Sequence, residues 1–174
     1  MVGIGFFLAQ PTPANLVLGV PFVCAGSLLR VWGAGYLVKT DRLVVSGPYA
    51  HLRHPLYAGT LLLAIGFGIA AGRFGVGIVM LIFAPAFFGY YLPYKERVES
   101  ERLAARYGEA YEAYRSAVPA LLPCLRGFTP PADWPHETTT RWSRDRFRDN
   151  NEFGTLLGVT ASAVLLAFLA GSPG

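Results

Sequence analysis

Apolar positions in this chain fall into long unbroken runs rather than the alternating or one-faced patterns of a soluble core. Between residues 15 and 36 the only charge is Arg30, and residues 56–72, 74–94 and 153–174 carry none. A helix that crosses a bilayer needs about 20 apolar residues. The pattern therefore predicts an all-α integral membrane protein with about four transmembrane helices, over about 15–37, 55–72, 74–94 and 153–171. The whole chain, 1–174, reads as one domain. The apolar stretch 2–9 would cover only about 12 Å as a helix. It has no basic lead and is followed by Gln10-Pro11-Thr12-Pro13, so it is not read as a signal peptide.

The polar segments 38–54 and 95–152 lie between the runs. Within the first run Gly19, Gly26, Gly33 and Gly35 offer sites for close helix packing. Arg30 either snorkels to the interface or faces a polar cavity inside the bundle. Pro55 suits the first turn of the second helix. Gly72-Arg73-Phe74-Gly75 should make a tight turn, so that the second and third spans form an antiparallel hairpin. Pro85 should kink the third span, and Pro93 should end or bend it. From residue 95 to 118 the chain reads as a cytoplasmic helix, interrupted at Gly108. Leu103, Tyr107, Tyr111, Tyr114 and Val118 share one face at spacings of four, four, three and four. Trp134, Trp142 and Phe147 among four arginines suggest an interfacial segment before the last span.

Charge orients this arrangement. The net charge is +4, and ten of the fifteen Lys and Arg residues lie between residues 95 and 148. Lys39, Arg42 and Arg53 lie in the other polar segment, while Arg73 alone marks the opposite loop. The positive-inside rule puts both basic segments in the cytoplasm and both termini outside. Acidic residues are interspersed with the basic ones, which argues against nucleic acid as a partner and leaves membrane lipid. Arg outnumbers Lys thirteen to two, which hints at a bacterial host and so at its inner (plasma) membrane. Cys24 and Cys124 form no CxxC, and neither they nor the histidines, His136 included, fall at metal-ligand spacing.

One polar segment carries more chemistry than a connector needs. Gly47-Pro48-Tyr49-Ala50-His51-Leu52-Arg53-His54-Pro55-Leu56-Tyr57-Ala58-Gly59 crowds an arginine, two histidines and two tyrosines at the start of a hydrophobic helix. Farther on come Glu99, Leu103, Tyr107-Gly108-Glu109-Ala110-Tyr111-Glu112-Ala113-Tyr114 and Val118-Pro119-Ala120-Leu121-Leu122-Pro123. In order and spacing these elements resemble the isoprenylcysteine carboxyl methyltransferase family, and more loosely the phospholipid N-methyltransferases. The resemblance runs from Leu28 to about Phe128. It implies S-adenosylmethionine as methyl donor, with S-adenosylhomocysteine as product, held between the RHP loop and the cytoplasmic helix that covers the site. By position, the implied cofactor contacts are Leu43, Val44, Tyr49 and His54, then Pro55, Leu56, Tyr57 and Glu99. The family's substrate-side arginine falls on Lys95, which keeps the charge but loses the planar fork. Ser100 stands where many relatives carry a second glutamate.

The residue chemistry is compatible with that implication. Amides at the start of the second span favour an anion such as the donor's carboxylate, to which Arg53 or His54 could add a hydrogen bond. Glu99 suits an ammonium or a ribose hydroxyl. Tyr49 and Tyr57 offer faces for adenine or a cationic sulfonium. Lys95 would hold the negative end of a carboxylate acceptor, with Arg53 beside it as the second reaction-side residue. The expected function is methyl transfer to a lipidic or amphipathic acceptor at the membrane face, by carboxyl O-methylation. Alternatives are phospholipid or amine N-methylation, an NADPH-dependent membrane reductase of related architecture, and a non-catalytic membrane scaffold. The reductases that share an RHPxY-like element typically place an acid three positions after the tyrosine, where this chain has Thr60.

Overall fold

The computed structural model describes residues 10–38, 42–132, 134 and 141–171. The apolar stretch 2–9, Lys39 and His136 lie outside the described residues. Every regular element among the described residues is helical: α1 (Pro13–Tyr36), α2 (Pro55–Ala70), α3 (Arg73–Tyr107), α4 (Glu109–Ala117), α5 (Arg144–Asp149) and α6 (Glu152–Gly171), with a short 3₁₀ turn at Gly47–Ala50.

Three of these helices, α1, α3 and α6, are long and apolar enough to cross a bilayer. The fourth expected span, α2, is apolar but has 16 residues, about 24 Å at 1.5 Å per residue. It packs against α1 along the most extensive helix interface of the fold. Glycine makes that possible: a Cβ on Gly19 would lie 2.5 Å from the Gly66 carbonyl oxygen, and one on Gly26 would lie 2.8 Å from that of Gly59. Any larger side chain would push the two backbones apart. Gly33 faces Pro55 in the same seam, whereas Gly35 accommodates the indole of Trp142.

α1 starts with Thr12 accepting a hydrogen bond from the Asn15 amide and with Pro13 at the first helical position. Its other end is closed from outside by α5 and the residues before it. The Asn150 side-chain amide donates to the Ala34 and Leu37 carbonyls, and Arg146 Nε and the Ser143 amide both donate to Gly35. These bonds satisfy the carbonyls that a helix C-terminus leaves open. The expected interfacial segment is thus joined to the end of the first span.

α3 departs from expectation at its prolines. The helix does not end at Pro93 but runs on to Tyr107. Each proline removes an amide and crowds the carbonyl four residues earlier. Widened π-type turns at Val79–Phe83 and Phe87–Tyr91 contain residues 81 and 89, the two carbonyls in question. The extra residue in each turn absorbs the clash without stopping the helix. At about 52 Å, α3 outreaches a bilayer, so its apolar part to residue 94 crosses and its polar part from Lys95 projects beyond. Gly108, at φ +50°, then redirects the chain into α4. The aromatic face expected from the sequence forms a small core. Tyr111, Tyr114 and Val118 are buried with Leu43 and Val45, and Leu103, Tyr107, Phe128 and Trp134 pack around them.

Inside the bundle Arg30 meets Glu152, the first residue of α6. Arg30 Nε donates to Glu152 Oε2 at 3.0 Å and its terminal nitrogens reach Glu152 Oε1 (2.5 Å), Thr60 Oγ1 (2.6 Å) and the Leu56 carbonyl (3.1 Å). Of the two readings of Arg30, the structure selects the internal polar one. The arginine ties α1, α2 and α6 together rather than snorkelling to the interface.

Candidate functional site

The RHP loop forms no regular element after its 3₁₀ turn, so its backbone has to find hydrogen bonds outside itself, and it finds them on the segment after α4. The Arg53 and His54 amides donate to the Pro119 and Ala120 carbonyls, while the Cys124 and Phe128 amides donate to His51 and Ala50. Pro119 favours the extended conformation found at Val118 just before it, where the chain leaves α4. Gly47 permits the turn into the loop: its φ is +61°, and a Cβ there would lie 2.7 Å from the Tyr36 ring. Tyr114 Oη donates to the Tyr49 carbonyl at 2.7 Å, and the Leu43 amide donates to Tyr107 Oη at 3.0 Å. The two ends of the sequence signature are therefore one folded unit.

Between the loop and α3 lies a cavity of about 440 Å³. This falls within the usual range for small-molecule sites, roughly 300–1,000 Å³. Leu43 and Val44 line one side, and Tyr49, Arg53, His54 and Tyr57 line the loop side. Lys95 and Glu99 line it from α3, and Tyr111 and Tyr114 from α4. Pro55 and Leu56 line a smaller pocket of about 70 Å³ that shares Tyr49, His54, Tyr57 and Glu99 with the larger one. Eight of the ten site residues named from the sequence thus line the larger cavity, and Pro55 and Leu56 line the pocket beside it. Leu37, Val38, Arg42 and Arg102 also line it and were not singled out. Arg102 follows Lys95 and Glu99 at spacings of four and three on α3, a pattern visible in the sequence, whereas Leu37, Val38 and Arg42 lie outside the helices and leave no periodic signal.

The residue that sequence reading missed altogether is Glu96. Its carboxylate binds Arg53 and His54 at once, with His54 Nε2 at 2.5 Å from Oε2 and the Arg53 guanidinium on Oε1. Arg53 Nε also donates to the Val118 carbonyl at 3.0 Å. These bonds direct Arg53 to bracing the loop against α3 and the 118–120 strip. His54 stacks on Tyr57 with centroids 5.2 Å apart, and its Nδ1 lies 3.8 Å from Glu99 Oε2. Tyr57 meets Tyr91 edge-on, and Lys95 Nζ sits 5.9 Å from the Tyr91 ring centre. Ser100 Oγ is 2.7 Å from Tyr111 Oη, so the expected departure from a second glutamate leaves a neutral hydrogen bond.

Burial pushes the Tyr49 and Tyr114 phenols well above their ordinary range, so both stay neutral hydroxyls. The Glu96 carboxyl is held down to about 2, first by its hydrogen bond with His54 and then by the His54 and Arg53 charges, against desolvation. A carboxyl lowered on folding stabilises the fold fully above its ordinary value of 4.5, and that contribution fades as pH falls toward 2. Thermal unfolding in detergent should therefore shift downward between those two pH values. The decline should be smaller in Glu96→Gln; an equal decline in both proteins would assign it to other carboxylates.

Comparison with known proteins fits this geometry. The chain is 33% identical over 125 residues to the cobalt-zinc-cadmium resistance protein CzcN of Cupriavidus metallidurans, covering 71% of this chain and 56% of that protein. It is 30% identical over 118 residues to the protein-S-isoprenylcysteine O-methyltransferase of Schizosaccharomyces pombe, covering 60% and 48%. The mouse enzyme of the same name is 33% identical over 90 residues. This chain is a relative of the isoprenylcysteine methyltransferases. It spans about half the length of the curated relatives it matches. A shorter match, 32% over 89 residues, reaches the Delta(14)-sterol reductase of Arabidopsis thaliana. No protein-family model matches the chain, and no solved structure matches it significantly. Relationship and apolar helices together make this isoprenylcysteine-methyltransferase relative an integral membrane protein.

Proposed function

We propose that the protein is a membrane methyltransferase that uses S-adenosylmethionine to O-methylate the carboxylate of a lipidic or amphipathic acceptor, with its site on the cytoplasmic face of a bacterial inner membrane. The observation that carries this reading is the cavity enclosed jointly by the RHP loop and the polar part of α3.

The residues present fit the donor's groups. The Leu56 and Tyr57 amides lie in the first turn of α2, where a helix has no internal acceptors, and both residues line the smaller pocket. They suit the donor's carboxylate. With Arg53 and His54 Nε2 committed to Glu96, this turn takes that role without them. Glu99 suits the ammonium, the rings of Tyr49 and Tyr57 suit adenine or the sulfonium, and Leu43 and Val44 close the apolar wall. The bound donor would supply a methyl group on a positively charged sulfur.

The chain's own contribution is placement. Lys95 stands at the junction of the apolar and polar parts of α3, where an acceptor arriving from lipid would present its carboxylate. Holding two reactants in line replaces an encounter with a near-unimolecular step. A carboxylate and a sulfonium neutralise each other as they react, so a site that excludes water favours the transition state over the separated ions. No general base is required for this nucleophile. Tyr111 and Tyr114 on α4 cover the cavity from the cytosolic side.

Incubating reconstituted protein with methyl-labelled donor and a bacterial membrane extract should label a lipid-soluble product that releases methanol in alkali, as a methyl ester does. An alkali-stable label would point to N-methylation, and no label above that of a Glu99→Ala control would contradict the proposal. The match to a sterol reductase supports a second reading, NADPH-dependent reduction. Thr60 disfavours it, because that side chain is occupied by Arg30 where the reductases typically carry an acid.

A further inference from the structure

Glu96 lines neither pocket, yet it touches two residues that line both. A carboxylate only accepts hydrogen bonds, so the hydrogen on the Glu96 side of His54 resides on Nε2. The stack on Tyr57 sets the plane of the ring, and the Glu96 contact sets its rotation within that plane. Nδ1 is left on the side of Glu99, 3.8 Å from its carboxylate.

Resting on the cofactor reading above, we propose that Glu96 is a positioning residue. It pins His54 by Nε2 so that Nδ1 faces the Glu99 carboxylate and keeps it in place to receive a cationic ammonium in the cavity. Arg53, itself bonded to the Val118 carbonyl, secures the same carboxylate from the other side, so Glu96 is held by two partners. The arrangement gives a role to a second acidic side chain that sits one turn before Glu99 without reaching the cavity itself.

The test separates positioning from general support of the fold. Binding is measured for S-adenosylhomocysteine, which has the amino-acid end, and for 5′-methylthioadenosine, which lacks it. Glu96→Gln should weaken S-adenosylhomocysteine about 10- to 100-fold, the effect of losing a charged hydrogen bond at a ligand group. Binding of 5′-methylthioadenosine should be unchanged. Glu96→Asp, which keeps the charge, should recover part of the loss. In a His54→Phe background, which keeps a ring but no nitrogen, Glu96→Gln should add little further loss of S-adenosylhomocysteine. That arm still decides the matter if Glu96→Gln alone is too unstable to purify. Parallel loss of both ligands, full additivity with His54→Phe, or no loss at all would overturn the proposal. Wild-type protein that fails to bind S-adenosylhomocysteine would instead overturn the cofactor reading on which it rests.

Discussion

Arg30→Ala or Glu152→Ala should each lower unfolding stability by about 3–5 kcal/mol, the usual cost of leaving one member of a buried ion pair without its partner. Both side chains are shielded, with 15% and 4% of their surface accessible. Arg30 also donates to Thr60 and to the Leu56 carbonyl, so its loss frees acceptors on α2 as well as the acid on α6. Glu152 stands at the start of α6, where the helix dipole favours a negative charge and partly compensates the isolated acid. Arg30→Ala should therefore be the less damaging of the two. Replacing both by methionine should restore much of the loss, because volume-filling apolar residues remove both charges together. Thermal unfolding of the three variants in one detergent checks this. Additive losses in the double variant would show that the pair is not coupled.

The sequence was most legible where physical constraint is periodic or compositional. Runs free of charge revealed the helices, and the aromatic spacing from Leu103 to Val118 revealed the face that became the small core. The glycines at 19 and 26 read as close-packing positions, and the structure supplies their partner, α2. What stayed hidden depends on pairing across distance. Glu152 is 122 residues from Arg30, and the last run read as starting one residue later, at Phe153. Glu96 precedes Glu99 by one helical turn, a spacing visible in the sequence. Its two partners lie more than 40 residues earlier, in a loop without a period. At Pro93 the sequence left ending and bending open, and the widened turn that makes room for the ring excludes the first. The site residues were placed by the family resemblance, and the cavity that surrounds them could be seen only in three dimensions.

The second large effect is expected in the cavity itself. Glu99→Ala should weaken S-adenosylhomocysteine by about 10- to 100-fold, since Glu99 is the cavity carboxylate assigned to the ligand's ammonium. His54→Ala removes Nδ1, the stack on Tyr57 and the partner of Glu96 together, so its loss should be at least as great. Tyr57→Phe keeps the ring and should cost least, within about 10-fold. The carboxylate and the ring that faces it thus rank together at the top, and the Tyr57 hydroxyl comes last. Fold defects would scale differently, with the buried His54 far more costly than the half-exposed Glu99. Equilibrium binding of labelled S-adenosylhomocysteine to these three variants and the wild type, purified side by side and verified as folded, tests the account most directly. Saturable wild-type binding that weakens in that order is the expected result. Equal binding by all four proteins, or none by the wild type, would contradict it.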